Sequence, residues 1–143
     1  MSNGLKTKTV TIEKGDDKGK TFLITEMAAI PADIWAHKLV EQASRSGIDL
    51  KNVNILEIDT KSMKGMIEIG SAVLTVLGKI PWEISREMKF DMLNECVQIV
   101  PSSGQPRACI WDQEISDWQN FSILAAHAIG LHVDFLAQGE TSD

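Results

Sequence analysis

The segment whose residue types come nearest to chemistry is Gly15-Asp16-Asp17-Lys18-Gly19-Lys20-Thr21. It resembles a phosphate-binding loop, but that motif needs four residues between its glycines and a helix after it, so that backbone N–H groups and the helix N-terminus meet the phosphates. Here three residues separate the glycines, and Phe22-Leu23-Ile24 reads as a strand. A hairpin turn is the better reading. His127 and His132 lie on one predicted helix about 140° apart round its axis, so they cannot share a metal. Cys96 and Cys109 lack the Cys-x-x-Cys spacing of a zinc site, and both sit among apolar residues where a thiol packs and does not attack. The carboxylate pairs Asp16-Asp17, Glu57/Asp59 and Glu114/Asp117 are neighbours in a turn, a linker and a helix start. Glycoside chemistry needs two acids facing each other across a sugar. The expectation is a protein that is not an enzyme, with no cofactor and no metal.

Elements must then be found to explain what the residues do instead. Leu5–Glu13 is rich in Thr, Val and Ile, and with Thr21–Glu26 it predicts an N-terminal β-hairpin over 5–26. Such a hairpin is marginal alone, so its apolar face must pack on helices. Pro31 suits the first position of a helix whose apolar stripe is Ile34, Trp35, Leu39 and Ala43 (with Ala36 and Val40), with Asp33 at its first turn and Ser46-Gly47 as its stop. Val53–Ile58 is a candidate short strand within a linker. Asp59, Thr60 and Ser62 are candidate caps for a second helix, Lys61–Leu77, whose Gly65, Gly70, Ser71 and Ala72 permit close backbone approach.

Pro81 opens a third helix with Ile84, Met88, Met92 and Cys96 at i+4 intervals. It yields near Val100 to the breaker Pro101–Pro106; alternatively Cys96–Val100 and Arg107–Trp111 pair across that loop as a second hairpin. A last helix spans about Glu114 to Ala137, with Asp112 and Ser116 as alternative caps, and 138–143 is a polar tail. The fold class is therefore α+β and helix-dominated: one domain over 1–143, with the hairpin on a helical body of about four helices over 31–137.

Composition narrows the partners. With 43% hydrophobic and 24% charged residues the 143-residue chain supports a core without staples. A net charge of −6 disfavours nucleic acid, whose binding relies on Lys and Arg clusters. The longest apolar run, Met66–Leu77, is well short of the roughly 20 residues that cross a bilayer. The N-terminus carries no apolar signal core and two cysteines make no disulfide framework, so a cytoplasmic protein with reduced thiols is expected. What remains is an excess of Met and Trp with no Tyr. Most such residues fill cores, yet a subset facing solvent would mark a partner surface, and Met63, Met66, Met88, Met92, Trp111 and Trp118 are the candidates.

The order G-K-T-F-L-I-T-E-M-A-A-I-P-A-D-I-W-A-H-K-L at Gly19–Leu39 resembles the start of the small tail assembly chaperones of long-tailed bacteriophages and prophages. Gly65-Met66, D-M-L-N-E-C-V at Asp91–Val97 and G-L-H-V-D-F-L at Gly130–Leu136 are similar to that family too, which often has Arg where this chain has His37. The resemblance implies a non-enzymatic protein that coats the tape-measure protein, keeps its apolar helical segments soluble, and brings tail-tube subunits to it. It implies absence from the finished virion. Apolar helices flanked by small residues are compatible with a homo-oligomer. A structural phage component, such as a tail-completion or head–tail connector protein, is the alternative.

Overall fold

The computed structural model describes residues 5–48, 63–102 and 104–141, with side chains over 5–48, 68–102 and 104–132. The candidate strand Val53–Ile58 and the caps Asp59, Thr60 and Ser62 lie outside the described residues. The chain is α+β and helix-dominated. β1 (Thr7–Thr11) and β2 (Thr21–Thr25) form the expected hairpin. β2 also pairs with β3 (Val97–Val100), and β3 with β4 (Arg107–Ala108), giving an antiparallel sheet in the order β1-β2-β3-β4. The second hairpin is thus present, and it joins the first to make one sheet.

Alternation decides which face of that sheet is covered. Phe22 and Ile24 on β2 stand beside Ile99 and Val97 on β3, and all four are buried. Their neighbours Thr21, Leu23 and Gln98 point the other way, as the two-residue period requires. β1 is an edge strand, and it turns Lys8 and Val10 toward the covered face opposite Ile24 and Phe22. An inward-pointing Lys on an edge strand opposes pairing with another chain.

Between β2 and β3 the chain runs through α1 (Ala29–Arg45), α2 (Met63–Leu77) and α3 (Trp82–Cys96). α1 begins two residues before Pro31, so Pro31 is its third residue and Asp33 lies just past its first turn. Its end is as expected: Gly47 adopts φ 75°, the Ile48 N–H bonds the Ala43 carbonyl and the Gly47 N–H bonds that of Ser44, which satisfies the last-turn carbonyls. Trp35 anchors α1 to α3 by donating its indole N–H to the Met88 carbonyl at 2.8 Å.

The expected last helix is two. α4 (Trp111–Glu114) is a single turn, and α5 (Gln119–Thr141) starts after a break at 115–118. α5 packs along α2, across α3 and onto β2. The helices α2 and α5 approach closely at Gly70, where any Cβ would collide with the Ala126 carbonyl of α5. This is the close contact that the small residues of α2 anticipate.

The break before α5 is held by a residue that the turn chemistry disguises. Asp17, expected to be a solvated turn charge, is 0% exposed. Its carboxylate accepts the N–H groups of Ser116 and Asp117, each at 2.9 Å, the Asn120 amide at 2.7 Å and the Lys20 amine at 2.9 Å. Lys20 also donates to the Glu114 carbonyl at 2.7 Å. Neither Asp112 nor Ser116 caps α5 with its side chain; the acid that fixes this joint comes from the other end of the chain. Burial alone would raise the Asp17 carboxyl, but these four donors hold it far below the usual carboxylate range.

Candidate partner-binding groove

α3 carries its residues in four rows at i+4 spacing, and each row meets a different environment. Ile84, Met88, Met92 and Cys96 face the core. Glu83, Glu87, Asp91 and Glu95 form an acidic row, from which Glu87 reaches Lys38 of α1 at 3.7 Å. Trp82, Arg86, Phe90 and Asn94 form a third row, and Ser85 with Lys89 lies beside it toward α5.

That third row lines a shallow groove of about 360 Å³. One wall is the end of α2, with Leu74, Leu77 and then Gly78. The other is α3, with Trp82, Ser85, Arg86, Lys89 and Phe90, and Ser122 of α5 closes one side. The Lys89 amine donates to the Ser122 hydroxyl at 2.9 Å. The Arg86 guanidinium sits 5.2 Å above the Phe90 ring and 6.0 Å from that of Trp82, within cation–π range. Beyond Phe90 the aromatic surface continues into Phe121 at 5.4 Å and Trp111 at 5.9 Å, in tilted and edge-on contacts. The Trp111 indole N–H is fixed by the Asn94 side-chain oxygen at 2.8 Å, so the row ends where the aromatic cluster begins.

The six residues expected to meet a partner fall in different places. Met88 and Met92 are each 1% exposed and belong to the core, because the row they occupy faces the sheet. They are corrected from surface to packing residues. Met63 and Met66 stand in the first turns of α2, and their side chains lie outside those described. Trp111 is half-buried in the aromatic cluster. Trp118, in the break before α5, is 74% exposed. Trp82 is 71% exposed at the groove rim and was one of the Trp excess, but the groove residues Arg86, Lys89 and Phe90 were missed. The signal was present, as an i+4 row beginning at Trp82 parallel to the methionine row. Ile34 and Val40, expected in the apolar stripe of α1, are instead exposed together with Ile30, because Trp35 and Ala43 set the buried side of the helix.

The cysteines, His127, His132 and Glu114 hold structural posts, while Glu57 and Asp59 lie outside the described residues. Burial, with the charges of Glu95 and Glu26, pushes the Cys96 thiol up to about 12, and its Sγ lies 3.5 Å from the Met92 sulfur. Burial and then Glu114 push Cys109 up to about 11. Both thiols are protonated at neutral pH and are poor nucleophiles. His132 commits both ring nitrogens: Nε2 accepts the Met27 N–H at 2.8 Å, which leaves the proton on Nδ1 for the Ala128 carbonyl at 2.7 Å. His127 is held neutral, pushed down to about 4 by burial and then by the charge of Lys8. Its Nδ1 and the Lys8 amine are buried without a hydrogen-bond partner among the described residues. Arg107 closes a 2.6 Å ion pair on Glu114 that ties β4 to α4.

These arrangements flank an aromatic, partly cationic groove, and no nucleophile–base pair is formed by these thiols and imidazoles among the described residues. No helix among the described residues is long and apolar enough to cross a membrane. Comparison with protein-family models, with curated proteins and with solved structures gives no match for this chain.

Proposed function

We propose that this chain is a non-enzymatic tail assembly chaperone, acting in the cytoplasm on the tape-measure protein and helping to bring tail-tube subunits to it. The observation that carries this reading is the groove between α2 and α3, rimmed by exposed Trp82 and continued by an aromatic cluster. Exposed aromatics around an apolar depression are what a partner helix docks against. A volume near 360 Å³, open to one side, suits a few side chains better than an enclosed ligand. The resemblance of Gly19–Leu39 to the chaperone family supplies the client, and the charge of −6 keeps such a surface soluble.

Co-expression with a phage tape-measure protein tests the reading. The client should become more soluble and should co-purify with this chain, and failure of both assays would count decisively against it. Mass spectrometry of purified virions separates the structural alternative: a connector or completion protein persists at defined copy number, whereas a chaperone is lost.

A further inference from the structure

We infer that the groove selects an acidic amphipathic helix: apolar side chains seat between Leu74, Leu77, Trp82 and Phe90, and flanking carboxylates reach Arg86 and Lys89. This deepens the partner-binding reading and rests on it. The charge of the lining carries the inference. The chain has 20 acidic residues against 14 basic ones, yet the charged side chains of the groove are both cations. Neither has a carboxylate partner among the described residues. Arg86 lies over two aromatic rings, and Lys89 donates only to a hydroxyl.

Lys89 is half-buried, and burial lowers its amine from the usual value, so it has already lost part of its water without gaining a counter-charge. An incoming carboxylate would supply that charge in a setting less screened than open solvent. The acidic row Glu83, Glu87, Asp91 and Glu95 sits on the opposite flank of the Trp82 row. It repels an acidic segment that strays from the groove, so attraction on one side and repulsion on the other fix where the helix lies.

The test uses the full chain and two labelled helical peptides with leucines at i, i+3/i+4 and i+7, one flanked by Glu and its twin by Lys. Binding is read by fluorescence anisotropy. The Glu peptide should bind saturably and about tenfold or more tighter than its twin, and more weakly as salt rises. R86E/K89E should reverse the preference, and R86Q/K89Q, the milder variant, should abolish it. Equal or tighter binding of the Lys peptide to the native chain would overturn the inference, as would unchanged Glu-peptide binding in R86Q/K89Q. Co-purification of the tape-measure protein without any acidic preference sinks only this inference. Acidic preference without co-purification sinks only the tail-assembly reading.

Discussion

Asp17 shows how much one side chain does when its partners are distant in sequence. A carboxylate at 0% exposure with four donors stabilises only while it is charged and fully met. Asp17→Asn keeps the shape but turns an N–H donor toward N–H donors. We expect a loss of about 2–3 kcal/mol in urea unfolding at neutral pH. Because the folded carboxyl is depressed, its contribution is complete above the ordinary value near 3.8 and fades as pH falls below it. His127 acts earlier on the acid side. Its folded value near 4 lies below the ordinary 6.5, so the unfolded chain takes up the proton first and stability falls from pH 6.5 toward 4. His127→Leu also removes an orphaned nitrogen beside Lys8. The variant should gain on the native chain as pH drops through that window; parallel pH profiles would exclude this role. Neither role was legible. An Asp in a Gly-bounded turn reads the same locally whether it meets water or the joint before α5.

At the scale of elements, sequence signals told most where local chemistry decides. The β1–β2 hairpin follows from alternation and turn glycines, and the end of α1 from Gly47. The passage from α3 to β3 carries no local signal, because Cys96-Val97 contains no breaker; pairing with β2 decides it there, not propensity. The split between α4 and α5 was hidden for a similar reason, since Ile115–Trp118 would continue a helix if Asp17 did not claim the Ser116 and Asp117 N–H groups. The groove is not legible locally because its second wall, Leu74 and Leu77, belongs to another helix, and only packing brings it beside the Trp82 row. Gly70, by contrast, was readable as a close-approach residue. Gly70→Ala should gain up to roughly 1 kcal/mol in helix propensity yet lose more to the Ala126 collision, for a net cost of about 1–3 kcal/mol. Ser71→Ala, at an exposed neighbour, is the control and should change little by the same denaturation assay.

For the whole molecule, the Asp17 clasp has a kinetic meaning. Its bonds to Ser116, Asp117 and Asn120 span 99, 100 and 103 residues. Closing so long a loop is entropically costly before the intervening helices have packed. Non-local contacts of this kind form slowly and late. We therefore expect the clasp to close after the folding barrier and to act as a brake on opening. Stopped-flow measurements on Asp17→Asn should place nearly all of its effect in unfolding, faster by about thirtyfold for a 2 kcal/mol loss, with folding almost unchanged. A comparable slowing of folding would put the clasp in the nucleus instead. Slow release of the clasp also keeps the N-terminal hairpin tied to the start of α5, so the two ends of the fold part together or not at all.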